Sequence, residues 1–146
     1  MTKLHSKTVS QKMGVKKDSR ALLVHAPASA VSTMQLPDVK QGKRVSGVYD
    51  YIHIFVVTQD ELDRQFSKYK KHLQPSGTLW ISWPKNKQRE TDLNIKHVIK
   101  IGYDHGLVES KAISIDDTWS ALKFTPPKKD VVYNNSYGKL KSTVTI

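Results

Sequence analysis

Residues 49–83 constrain the fold most. "YDYIHIFVV" at 49–57 is β-branched and aromatic, with apolar residues on both faces. That composition predicts a strand covered on both sides. Thr58 follows, then "QDELDRQFSKYKKHL". Thr58 and Glu61 stand at capping-box spacing, and Asp60 and Glu61 suit the positive end of a helix. Leu62, Phe66, Tyr69 and Leu73 fall on one helical stripe, while Lys68, Lys70 and Lys71 gather towards its end. "QPSG" breaks the helix, and "TLWISW" reads as the next strand, stopped by Pro84. Two strands joined through a helix run parallel, with a right-handed crossover.

The rest of the chain extends this unit. "KTVSQKM" predicts a short helix stopped by Gly14. "RALLVHAP" at 20–27 reads as a buried strand ended by Pro27, and "ASAVSTMQ" as a short helix. "LPDVKQGKRVSG" is mostly loop, with a short strand expected around Lys43–Ser46. Thr91 or Asp92 caps a helix running to about His105, with Ile95, Val98, Ile99 and Gly102 towards the sheet and Gly106 as its stop. "LVESKAISI" and "TWSALKFT" flank Asp116-Asp117 and read as a hairpin. The expected architecture is α/β: a three-layer, Rossmann-like, mostly parallel sheet with a C-terminal antiparallel hairpin. The organisation expected is a basic N-terminal arm with a short helix (1–19), the α/β domain (20–127) and a basic C-terminal tail (128–146), in which "STVTI" is a candidate late strand.

This pattern resembles the class I S-adenosylmethionine (SAM)-dependent methyltransferase fold, whose sheet ends in such a hairpin. "HLQPSGTLWIS" is similar to the helix–turn–strand segment before that fold's fifth strand. The resemblance implies a SAM site built on a glycine-rich turn after the first strand and an acidic residue ending the second. Here "HAPASA" carries no glycine, no clear acidic residue ends a second strand, and "VTQD" stands where an amide-methylating enzyme carries D/N-P-P. No cofactor is therefore expected, with SAM still possible although its usual binding motif is absent. "WISWPK" followed by "TDL", and later "DDTWSALKF", also resembles a bacterial family of small proteins of unknown function with W-[VI]-S-W-P-K and D-[DE]-T-W-S-[GA]-L-K motifs. That resemblance implies the Rossmann-like fold and supplies no reaction.

Composition narrows the function classes. The chain of 146 residues has no cysteine, so disulfides, thiolate metal sites and cysteine nucleophiles are excluded. The six histidines show no metal-ligand spacing. Phosphate-loop, nucleophile-elbow and zincin patterns are missing. No apolar run approaches a membrane span, and the N-terminus has no apolar signal core, which fits a cytoplasmic protein with no membrane partner. The net charge of +11 points towards nucleic acid, yet its distribution weakens that reading. Residues 1–20 hold six Lys/Arg against one Asp, and residues 126–146 hold four Lys against one Asp. Nucleic-acid association through basic arms is thus one expectation, and it would be weak and salt-sensitive.

In open α/β sheets ligands bind outside the carboxyl ends of the strands. Those ends fall at His25, at Val57-Thr58, at Trp83-Pro84-Lys85 and at Asp116-Asp117 with Trp119 just beyond. The candidate ligand-binding residues are therefore His25, Thr58, Trp83, Lys85, Asp116, Asp117 and Trp119, with no catalytic or metal-binding residue among them. Side chains alternate along "LWISW", so Trp80 belongs to the core, whereas Trp83 either caps the core or stacks on a ligand. Lys85 is either solvated or an anion contact. Asp116 and Asp117 are turn residues or partners of Lys85 or Lys123. The leading expectation is a non-catalytic methyltransferase-like domain that binds a small or anionic ligand, or a protein partner, at this edge. A divergent SAM-dependent methyltransferase is the remaining alternative.

Overall fold

The computed structural model describes residues 8–41, 44–133, 135 and 137–140. The two central strands are β3 (Tyr49–Phe55) and β4 (Leu73–Pro84), which run parallel with Ile52 opposite Leu79 and Ile54 opposite Ile81. On one side of this pair lie β1 (Arg20–Val24) and the two-residue β2 (Lys40–Gln41), both parallel. On the other side, β6 (Trp119–Thr125) runs antiparallel to β4, and β5 (Val108–Ser114) antiparallel to β6. The strand order is β2-β1-β3-β4-β6-β5. This is the mostly parallel Rossmann-like sheet with a terminal antiparallel hairpin.

Helices cover both faces. One face packs Leu62, Phe66 and Tyr69 of α3 (Gln59–Tyr69) and Val98, Ile99 and Tyr103 of α4 (Ile95–Asp104) against Ile52, Ile54, Leu79, Ile81, Leu122 and Phe124. The other packs Met13 of α1 (Val9–Met13) and Ala30 and Met34 of α2 (Ala28–Met34) against Tyr51, Phe55, Trp80 and Ala121. Trp80 is fully buried in this second layer, as the strand alternation predicts. Ser10 of α1 donates its hydroxyl to the Gln35 carbonyl at 2.7 Å, so the N-terminal helix is tied to the end of α2. Tyr133 and Leu140 of the tail pack on the first layer, and the Asn135 amide donates to Glu109. "STVTI" lies outside the described residues.

Four details depart from the sequence reading. The strand expected near Lys43–Ser46 is instead Lys40–Gln41, paired with Arg20 and Ala21; Lys43 lies outside the described residues. α3 gives way to a 3₁₀ turn at Lys70–His72, and "QPSG" lies inside β4, where the register shifts between Tyr49 and Tyr51. The N-cap of α4 is Asn94, which accepts the His97 N–H, because Thr91 and Asp92 are committed to partners near the start of α3. Ile95, expected towards the sheet, is an exposed apolar residue.

Gly102 is required by close approach. A Cβ on it would stand 2.1 Å from Cε1 of Phe124. Alanine favours a helix over glycine by about 1 kcal/mol, but overpacking a filled core costs roughly 1–3 kcal/mol. At this depth of overlap the clash should win. Gly102→Ala is expected to lower unfolding free energy by about 2 kcal/mol in urea titrations, with partial recovery when Phe124 is shortened to Leu. An unchanged midpoint would show that α4 sits further from β6.

Candidate functional site

The carboxyl edge is built around a reversal of strand order. β1 leads through α2 to one side and β3 leads through α3 to the other, so the chain diverges between β1 and β3. In such sheets this is the switch point, where a crevice opens. Two expected site residues stand there. His25 ends β1 with φ +56°, and its Nδ1 lies 3.5 Å from Glu61 Oε2 on α3. Glu61 Oε1 accepts the Val57 N–H at 2.9 Å. Thr58 is the N-cap of α3, its hydroxyl accepting the Glu61 N–H at 3.1 Å. Glu61 thus reaches back to Val57 rather than to Thr58, and its second oxygen is left for His25.

A cavity of about 870 Å³ opens further along the same edge. Its walls are the end of β4, the segment leading into α4, and the facing residues of the hairpin. Trp83, Leu93, Ala112 and Ala121 give it an apolar side. Lys85, Lys87, Asn94, His97 and Ser114 give it a polar side. Lys85 is fixed at both ends: its N–H donates to the Thr118 carbonyl at 2.7 Å, and its ammonium donates to the Ser114 hydroxyl. Trp83 is only 5% exposed and belongs to the α3/α4 layer as well as to the cavity wall. Trp83 therefore caps the core, as one of its two sequence readings has it, and its edge lines the cavity.

The loop Lys85–Glu90 that follows β4 is conformationally costly. Asn86, Lys87, Arg89 and Glu90 all have positive φ, between 50° and 62°. Asparagine tolerates this region, whereas other non-glycine residues lose about 1 kcal/mol or more each. Contacts from outside the loop hold it. The Gln88 amide donates to the Asp117 carbonyl, the Thr91 N–H to the Gln88 carbonyl, and the Thr91 hydroxyl to the Val57 carbonyl. The Arg89 guanidinium lies 5.3 Å from the Trp119 ring centre. Lys87 and Arg89 consequently project from a shaped backbone.

The three hairpin candidates have structural roles. Asp116 Oδ1 accepts the N–H groups of Thr118 and Trp119 at 2.9 and 2.8 Å, which closes a turn longer than a two-residue step. Neither aspartate pairs with Lys85 or Lys123 among the described ion pairs, since Lys85 turns to Ser114. Trp119 is buried on the opposite face, edge-on to Phe55 at 5.1 Å. Of the seven candidates, the cavity collects Trp83 and Lys85, the switch point holds His25 and Thr58, and Asp116, Asp117 and Trp119 build the hairpin. Sequence reading missed Lys87, His97 and Ser114. Ser114 is legible only through strand pairing, opposite Ser120 and one wall away from Lys85.

A buried polar chain on the α2 face was also missed. The Tyr51 hydroxyl lies 2.6 Å from His53 Nδ1, and His53 Nε2 lies 2.6 Å from the Ser82 hydroxyl. His53 and Ser82 are fully buried, and the imidazole stacks on Phe55 at 4.4 Å. Burial raises the Tyr51 phenol above its ordinary range, so it keeps its proton and donates to Nδ1. Nε2–H then donates to Ser82, which satisfies a neutral imidazole with one donor and one acceptor.

No protein-family model matches the sequence, and no curated protein matches it. Solved structures do share its fold. Ribosomal protein L11 methylase from Lactobacillus delbrueckii subsp. bulgaricus is 10% identical, with a TM-score of 0.53 over 82% of this chain and 76% of that one. A methyltransferase from Pyrococcus furiosus is 12% identical, with a TM-score of 0.55 over 80% and 79%. Magnesium protoporphyrin IX methyltransferase from Synechocystis PCC 6803, solved with bound SAM, is 11% identical, with a TM-score of 0.54 over 82% and 74%. The fold is methyltransferase-like; at these identities the likeness extends to fold alone. Among the described residues no helix is long and apolar enough to cross a membrane.

The buried histidine makes stability depend on acid. Burial pushes the His53 pKa down to about 3, against an ordinary value of 6.5. Between those values the unfolded chain binds the proton and the folded chain does not. The neutral-pH stability is therefore lost as pH falls through that window, by up to about 1.4 kcal/mol per pH unit. His53→Gln should be less stable at neutral pH but show a flatter decline between about pH 6 and pH 4 in denaturant titrations. Equal slopes for the two proteins would remove His53 as the acid-sensitive group.

Proposed function

We propose that this chain is a methyltransferase-like binding domain without methyl-transfer activity, which takes a small anionic ligand in the cavity at the carboxyl edge of its sheet. The observation that carries the reading is the placement of Lys85, fixed across the cavity by Ser114, beside Trp83 and Lys87. A lysine with no carboxylate partner among the described residues and an apolar wall in one cavity of this size are the ordinary ingredients of a small-molecule site.

The residues after β1 do not fit SAM. A glycine-rich turn lets backbone approach such a cofactor; here His25, Ala26 and Pro27 occupy the turn, and Pro27 at the N-cap of α2 brings no N–H donor. β2 ends in Lys40-Gln41 and offers no carboxylate to a ribose. Across the switch point His25 meets Glu61, so the chain's own side chains lie where β1 and β3 diverge. These features argue for a ligand displaced from the β1 turn towards the hairpin side of the edge.

Calorimetric titration with SAM is expected to give no saturable heat. Titration of the ¹⁵N-labelled protein with a panel of small carboxylates, sulfonates and phosphates is expected to shift the Trp83 indole and Ser114 amide signals. Lys85→Ala should weaken that binding by about tenfold, the equivalent of about 1.4 kcal/mol for one charged contact. Micromolar SAM binding that Lys85→Ala leaves intact would overturn the reading.

A further inference from the structure

We infer that the ligand of this cavity is a phosphate ester with an apolar or flat body, its phosphate lying between Lys85, Lys87 and the first turn of α4. The inference rests on the reading of the cavity as the binding site and adds the chemical class of what fills it.

The charge balance separates phosphate from carboxylate. Lys85 and Lys87 line the cavity, and the start of the ten-residue helix α4 opens onto it through Asn94, Ile95 and His97. A helix N-terminus adds about half a positive charge. Asp92 is the one acidic residue of the lining, and its Oδ1 already accepts the Gln59 N–H at 2.8 Å. The local balance, with two ammonium groups and a helix end, matches a phosphate dianion better than a carboxylate. A lysine ammonium acts on phosphate as a point charge, without the bidentate fork that arginine would bring.

Donors are available at the same place. Asn94 accepts the His97 N–H through its side chain and the Val98 N–H through its carbonyl. The N–H groups of Ile95 and Lys96 have no partner among the described residues. His97 lines the cavity, and its Nδ1 is shielded from solvent without a partner among the described residues. Opposite this polar end, Trp83, Leu93 and Ala112 supply the surface for the ester's body.

Phenyl phosphate is the direct probe, with inorganic phosphate, phenol and benzoate as its parts and rival, each titrated into the ¹⁵N-labelled full chain. Phenyl phosphate is expected to shift the Ile95 and Lys96 amides and the Trp83 indole, and to bind at least about tenfold more tightly than benzoate. Lys85→Ala and Lys87→Ala should each weaken it by about tenfold, and exposed Lys71→Ala should not. Circular dichroism checks that the variants fold. If benzoate shifts the same signals equally well, the phosphate assignment falls while the cavity remains the site. If phenyl phosphate shifts signals around His25 and Thr58 instead, the cavity reading falls with it. Absence of any shift from phenyl phosphate at millimolar concentration overturns the inference, and the broader anion panel then decides the fate of the cavity by itself.

Discussion

The structure depends on a strand pair that is covered from both sides. β3 and β4 align Ile52 with Leu79 and Ile54 with Ile81, and these four residues form the floor under α3 and α4. On the reverse side the same backbones present Tyr51, His53, Trp80 and Ser82 to α1 and α2. A slip of one residue in this register would exchange the two sets. It would bring the polar chain under α3 and α4, and it would set isoleucines and leucines against the small residues of α2. The His53–Ser82 hydrogen bond opposes that exchange, because it joins β3 to β4 and forms in the observed alignment, while Tyr51 holds the imidazole from within β3. A buried polar group here serves specificity of register more than net stability.

Fixing this pair fixes the edge. β4 carries its last residues beyond the end of β3, so Trp83, Pro84 and Lys85 reach past the first layer and meet the hairpin. Lys85 is then bound from two sides by hairpin residues, Thr118 through the backbone and Ser114 through the side chain. The loop that follows must turn sharply, and four residues of positive φ accomplish it. The contacts that hold those residues come from β3, the hairpin and the entry to α4, so the loop's shape is imposed by the surrounding framework.

The architecture was legible because it follows from short-range pattern. The stripe of Leu62, Phe66 and Tyr69, the cap at Thr58 and the alternation in "LWISW" are each readable in a window of a few residues, and the structure contains all of them. What was not legible depends on distant partners. Thr91 and Asp92 look like helix caps, but Val57 and Gln59 claim them, and Asn94 inherits the cap. Pro75 and Gly77 look like breakers. Gly77 instead lets β4 pass close to β3, where a Cβ would stand 3.0 Å from the Tyr49 and Asp50 carbonyls. The edge residues were correctly gathered by topology, yet their division into switch point, cavity and hairpin turn needed the actual pairing of β4 with β6.

That division bears on how one fold accommodates a different site. In an open α/β sheet both the switch point and the neighbouring strand ends face the same side of the molecule, so a binding site can sit at either without changing the framework. The turn after β1 here is short, and His25 reaches Glu61 across the divergence of β1 and β3. A cavity opens where β4 outruns β3, between the end of β4, the entry to α4 and the hairpin. The residues that shape this second location, a proline-ended strand with its lysine, a left-handed loop and a serine on β5, are contributed by segments that the central register already holds in place. A site at either location therefore needs particular residues only in loops and strand ends, and leaves the buried pair β3–β4 untouched.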